Sequence, residues 1–178
     1  MTVTRAVWGF LEERDLRLMR RVNRWRAPRW VRLSMLWVTR LGDGWLWYAL
    51  GLLLCFFGGP QRYRAVAAEG IAALAAILIF RALKTMSRRS RPCHIERHCW
   101  AVIAPPDEYS FPSGHTMTAF AISIALGHFY PDCLPFLLFV AASIGASRII
   151  LGMHFLTDVV VGAAIGLLLG YVCVFPLL

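Results

Sequence analysis

Between Gly44 and Phe175 the chain carries five apolar stretches with few charges, and nothing else limits its fold so strongly. They cover about 44–57, 65–83, 116–130, 134–150 and 155–175, the first closed by Gly58-Gly59-Pro60. In hydrocarbon the backbone must satisfy its own hydrogen bonds, so a stretch of this kind becomes a helix. A crossing normally takes ~20 residues, so the shorter stretches must borrow flanking residues. Apolar residues make up 58% of the 178, too many for an ordinary soluble domain. No repeat, low-complexity tract or linker divides the sequence. The expected fold is therefore all-α: one domain over 1–178, a polytopic membrane bundle of about five transmembrane helices.

Residues 1–40 read differently from the core at 41–178. Over 5–25, Trp8, Leu11, Leu18, Val22 and Trp25 recur at helical spacing, while Arg14, Arg17, Arg21 and Arg24 fill another face. That pattern predicts an amphipathic helix lying in the headgroup region. Ala27-Pro28 ends it, and 30–40 is expected to form a second short interfacial segment. The first fifteen residues hold Glu12, Glu13 and Asp15 and lack the apolar core of a cleavable signal, so the N-terminus is expected to be retained.

The formal charge is +9, from 18 Arg and one Lys against 10 acids. In a polytopic protein this favours an anionic bilayer surface and an anionic substrate over nucleic acid. Arginine in particular grips phosphate with a planar fork of donors.

Three polar islands interrupt the apolar pattern. Lys84, six further residues and Arg91-Pro92 follow the second stretch; Phe111-Pro-Ser113-Gly114-His115 precedes the third. Ser147-Arg148, five residues, His154, three residues and Asp158 cross the turn between the fourth and fifth. Counting crossings puts all three islands on one membrane face. Lys84, Arg91 and Arg148 supply positive charge for a phosphoryl group. Ser113 and Gly114 stand where a helix begins after Pro112, and the free N–H groups there suit an anion. His154 and Asp158 are four apart, one helical turn, so the carboxylate can fix the imidazole tautomer and leave the other nitrogen free to attack phosphorus. His115 is available to protonate the leaving oxygen. This set requires no metal and no cofactor.

Together the three islands resemble the signature of the type 2 phosphatidic acid phosphatase superfamily, matched at every position and gap from Lys84 to Asp158. The resemblance implies an all-helical membrane core with His154 as nucleophile, Asp158 as its orienting acid and His115 as general acid. Lys84, Arg91, Ser113, Gly114 and Arg148 would form the phosphate cradle. The implied activity is metal-independent hydrolysis of phosphatidate, phosphatidylglycerophosphate or an isoprenyl diphosphate, in a multi-pass cell membrane protein. A lipid phosphotransferase sharing the phosphohistidine step is the rival enzyme. A transporter or scaffold is the non-catalytic alternative, and retention of His115, His154 and Asp158 argues against it. Many bacterial relatives carry a sixth, N-terminal span, replaced here by the amphipathic segment.

Some polar residues stand outside the islands. Asp43 is expected to cap the first span, Glu69 to play a structural role within the second, and His128 to sit at the interface. Cys93, His94, His98 and Cys99 fit no common zinc spacing; a Cys93–Cys99 disulfide on an oxidising face, or two free thiols, are the expected states. The resemblance implies an outer-face site. Charge points the other way: 17 basic residues lie on the site face against Arg62 and Arg64 on the opposite one, which favours the cytoplasm.

Overall fold

Each predicted apolar stretch forms a helix in the computed structural model, which describes residues 3–25, 27–96 and 107–175. In chain order the helices are α1 (Val3–Arg24), α2 (Arg29–Leu41), α3 (Trp45–Phe57), α4 (Arg62–Ser87), the single turn α5 (Pro92–Ile95), α6 (Gly114–Phe129), α7 (Leu134–Ile150) and α8 (Leu156–Val174). Among the described residues the β pairing is one isolated antiparallel bridge, Ser90 with Tyr109, which ties together the two ends of the long connection before α6. The two segments expected at the interface form helices, α1 and α2. The Cys93–Cys99 pairing involves Cys99, which lies outside the described residues.

Length and composition qualify Gly59–Ser87, Pro131–Ile150 and Leu156–Val174 as membrane spans, with Trp45–Phe57 a shorter apolar helix. Helix α6 has 16 residues, and 11 of them are buried, so protein rather than lipid surrounds it. It is the axis against which α4, α7 and α8 pack. Helix α4 turns a stripe of Ala65, Ala68, Ala72 and Ala76 inward, every one fully buried. Large apolar side chains such as Leu74, Leu78, Phe136, Phe139 and Leu168 face outward instead. Such an inverted pattern, small inside and large outside, suits a bundle whose solvent is lipid.

The closest approach joins α8 to α6. Gly162, Gly166 and Gly170 recur every fourth residue along α8. A Cβ at these positions would lie 2.7 Å from the Ser113 carbonyl oxygen, 2.4 Å from that of Met117 and 2.7 Å from that of Ala121. Those obstacles are helix backbone, which cannot swing aside. Ser113 N–H donates to the Asp158 carbonyl at 3.0 Å, so this contact also locks the two helix starts together.

Glu69 is buried in α4, and its carboxylate packs against Gly51 of α3, where a Cβ would come within 2.9 Å of Oε2. His128 is exposed at the end of α6 and meets the Phe129 ring edge-on at 5.3 Å.

Overpacking at Gly166 should therefore be costly. Gly166→Leu is expected to destabilise by ~1–3 kcal/mol or more, lowering Tm in detergent by about 2–4 °C per kcal/mol at this chain length. Gly70→Ala, with nothing within 4 Å of the added methyl, should hold or raise Tm because it removes a mid-helix glycine. Equal melting of the two variants would show that the α6–α8 contact does not set stability.

Candidate active site

The three polar islands meet at one end of the bundle around a cavity of about 560 Å³. Its walls include Lys84 at the end of α4, Arg91, Asp107 and Tyr109 from the connection, Gly114 and His115 opening α6, Arg148 closing α7, and His154. Six of the eight predicted residues line it. Ser113 and Asp158 stand behind the wall: both are fully buried, and the Ser113 hydroxyl pairs with Thr116 Oγ1 at 2.9 Å rather than facing the cavity. A second cavity of about 690 Å³ lies beside α1, walled largely by Leu16, Leu83, Met86, Ile95, Phe111 and Phe155. It holds none of His115, Arg148 and His154, so it is not the place for phosphoryl chemistry.

His154 lies in the turn after α7 and before α8, not on the helix as its spacing to Asp158 predicts. The helix starts two residues later, and Asp158 sits in its first turn, where Oδ2 accepts the Phe155 N–H at 2.8 Å. From there Oδ2 stands 3.6 Å from His154 Nδ1, beyond hydrogen-bond length but within reach of a small closure. On the other side of the ring, Arg91 Nη1 approaches Nε2 at 3.2 Å. Guanidinium only donates, so Nε2 must present its lone pair and the ring proton sits on Nδ1, towards Asp158. Burial, reinforced by Arg148, Arg91 and Lys84, holds the His154 imidazole well below its ordinary value. The ring is thus neutral at pH 7, with its Nε2 lone pair among the cations.

The cations are not equally engaged. Asp107 bridges two of them: Lys84 Nζ donates to Oδ2 at 2.6 Å and Arg91 Nη2 to Oδ1 at 2.7 Å. Burial pushes the Asp107 carboxyl up, but those two partners outweigh it and leave the group below its usual range. Arg91 also donates to the Asp107 and Met153 carbonyls at 2.8 Å each. Arg148 is held at one corner only, Nη1 donating to Thr39 Oγ1 of α2 at 2.6 Å. Among the described residues, the buried side-chain nitrogens and oxygens lacking a partner are Arg148 Nε, Arg148 Nη2 and His154 Nδ1. All three belong to this site. A buried, unpaired guanidinium edge is expensive, and a phosphate oxygen is the ligand that would relieve it.

Asp43 is not the cap that its position predicts. Gly44 precedes α3 with φ 118°, a left-handed conformation, and no side chain caps the helix. Asp43 instead accepts from His115 Nε2 at 2.7 Å, and that hydrogen bond holds the carboxyl below its usual range. His115 is thereby left with Nδ1 for a substrate.

Four participants escape motif reading: Asp43, Asp107, Thr39 and Arg89, whose Nη1 donates to Asp158 Oδ1 at 2.7 Å. Thr39 comes from α2 and Asp43 from the turn between α2 and α3, both remote in sequence from the islands. Asp107 and Arg89 sit in the one long polar connection, a signal that marks the loop but not the residue.

Comparison with known proteins identifies the family. The model of the family described as PAP2 superfamily matches residues 65–175. Phosphatidylglycerophosphatase B of Bacillus subtilis (strain 168) is 31% identical over 155 residues, covering 79% of this chain and 72% of that protein. Decaprenylphosphoryl-5-phosphoribose phosphatase of Mycobacterium tuberculosis (strain CDC 1551 / Oshkosh) is 34% identical over 128 residues, 71% of this chain and 68% of its own. The crystal structure of Aquifex aeolicus LpxE superposes with a TM-score of 0.76 at 30% identity, covering 90% of this chain and 94% of that one. With its motif residues gathered at one cavity and the family model spanning most of the helical core, the chain belongs to the PAP2 superfamily, the type 2 phosphatidic acid phosphatases.

Proposed function

We propose that this protein is a metal-independent lipid phosphatase that works through a phosphohistidine on His154. The observation that carries the reading is the unpaired, buried edge of Arg148 beside a neutral His154 whose Nε2 lone pair shares its cavity. A phosphoryl group seated there would take hydrogen bonds from Arg148, Arg91 and Lys84 and lie near the N-terminus of α6. His154 Nε2 attacks phosphorus as the bond to the lipid oxygen breaks, and His115 delivers the proton that this oxygen needs. Asp158 stabilises the positive charge that develops on the His154 ring. Water then attacks phosphorus, giving its proton to His115; the P–N bond breaks and phosphate leaves.

The relatives bear names of phosphatases acting on phosphatidylglycerophosphate and on a decaprenylphosphoryl sugar phosphate. Their common element is a phosphate monoester on a lipid anchor, and a lipid phosphate or diphosphate is the substrate class that the cradle would read. A panel of phosphatidate, phosphatidylglycerophosphate and undecaprenyl diphosphate, assayed in detergent with chelator and no added acceptor, tests this reading. Phosphate release from at least one lipid, lost in His154→Ala, is expected; turnover that needs magnesium, zinc or an acceptor would overturn it.

The Asp43–His115 pair makes a sharper prediction. Asp43→Asn should slow turnover of a lipid alkoxide by about tenfold or more, since a general acid supplies ~10²–10⁴. Its effect on p-nitrophenyl phosphate, whose leaving group needs no proton, should be small. Equal losses on both substrates would remove Asp43 from any role in proton delivery.

On the positive-inside rule we place the site on the cytoplasmic face. Setting aside Lys84, Arg91 and Arg148, which have chemistry to do, 14 basic residues still lie on the site face against two opposite. Five crossings after α2 would then carry Leu178 outside. Alkaline phosphatase fused after Leu178 should be active; a fluorescent fusion there that lights up in the cytoplasm would reverse the assignment.

A further inference from the structure

The catalytic Asp158 does not stand alone against His154, and what holds it comes from the far end of the chain. Arg89 Nη1 donates to Asp158 Oδ1 at 2.7 Å and to Thr157 Oγ1 at 2.7 Å, while Nη2 donates to Asp15 Oδ2 at 2.7 Å. The guanidinium lies over the Phe155 ring, 4.4 Å from its centre. Asp15, on α1, also accepts the Thr157 N–H at 3.2 Å through Oδ1 and the Thr157 hydroxyl through Oδ2. The Asp15 and Asp158 side chains are 3% and 0% exposed, and that of Arg89 is 15% exposed. One cation thus serves two carboxylates away from water. A second ion pair, Arg20 with Glu96 at 2.6 Å, joins α1 to the same connection that carries Arg89 and Arg91.

We infer that Asp15 is a positioning residue for the reaction: through Arg89 it fixes the Asp158 carboxylate, and through that carboxylate the His154 imidazole. Two features of the network give this content. Arg89 holds Oδ1 of Asp158 and the Phe155 N–H holds Oδ2, with the Ser110 hydroxyl also on the carboxylate, so Arg89 helps to set the 3.6 Å gap from Oδ2 to His154 Nδ1. Asp15 also draws off part of the Arg89 charge. Without it, Arg89 answers to Asp158 alone and neutralises the negative charge that the developing imidazolium needs. The amphipathic helix would then do more than rest on the bilayer, because it supplies one third of a buried triad that ends on the nucleophile.

This inference rests on the phosphohistidine reading, and the experiment separates the two. Steady-state rates on dioleoyl phosphatidate in mixed micelles are measured for Asp15→Asn, Asp158→Asn, the double variant, Arg89→Lys and His154→Ala. Each protein is checked by size exclusion and melting. Asp15→Asn should lower kcat about tenfold or more with KM within about twofold, since an interaction made in the transition state is lost. In the double variant the Asp15 change should add little to the Asp158 loss, because both act through one carboxylate. Arg89→Lys, which keeps a charge but cannot fork to both acids, should lose kcat in the same way. It carries the test alone if Asp15→Asn does not fold. Wild-type kcat in the folded variants would overturn the inference, as would losses that multiply in full in the double variant, or a raised KM at unchanged kcat. If His154→Ala still turns over, the underlying mechanism fails instead; an inactive His154→Ala beside a fully active Asp15→Asn fails this inference alone.

Discussion

The contact on which the site depends is the backbone-to-backbone approach of α8 to α6. Three glycines at fourfold spacing, Gly162, Gly166 and Gly170, let the two helices come together where any side chain would strike a carbonyl oxygen. That approach brings the first turn of α8 onto the first turn of α6, so that Ser113 N–H reaches the Asp158 carbonyl at 3.0 Å. His115 belongs to one of those turns, and His154 stands just ahead of the other. The two histidines therefore share a cavity because two helices without bulk between them start at the same level. Packing in lipid draws on small residues and van der Waals contact rather than on apolar transfer, and here that packing also assembles the chemistry.

Electrostatics divides the cavity into a settled half and an open half. Lys84 and Arg91 are already answered by Asp107, at 2.6 and 2.7 Å. Arg148 keeps two nitrogens without partners, buried at the end of α7. Burial, reinforced by the three cations beside it, holds the His154 ring well below its ordinary value, the state the proposed attack on phosphorus needs at pH 7. In the proposed mechanism the same cations would serve the arriving phosphoryl group, being in place before charge moves. Each histidine has its own carboxylate, Asp158 behind His154 and Asp43 behind His115. The Asp43 contact is the tighter of the two.

Much of this was legible in the sequence, for identifiable physical reasons. Apolar stretches must become helices in lipid, so α3, α4, α6, α7 and α8 fall within a few residues of their predicted bounds. The three islands hold residue types too costly to bury without a purpose, and six of the eight residues they nominate line one cavity. What escaped depends on distance in sequence. Asp43 meets His115 across 72 residues and Arg148 meets Thr39 across 109, pairings that local spacing does not encode. The spacing of His154 and Asp158 suggests one helical face, yet the turn formed by Gly152, at φ 69°, delays the helix until Leu156. The glycine stripe on α8 went unread in the sequence, and its register against α6 is settled only in three dimensions.

The central claim is that phosphorus passes through a bond to His154, and trapping that bond tests it most directly. Phosphatidate labelled with ³²P in its phosphate, mixed with excess enzyme and quenched in alkali within milliseconds, should leave label on the protein. The label should survive base, leave in acid, and map after digestion to the peptide that contains His154. Protein that stays unlabelled while phosphate is released in the same mixing time, or label on any other residue, would contradict the account.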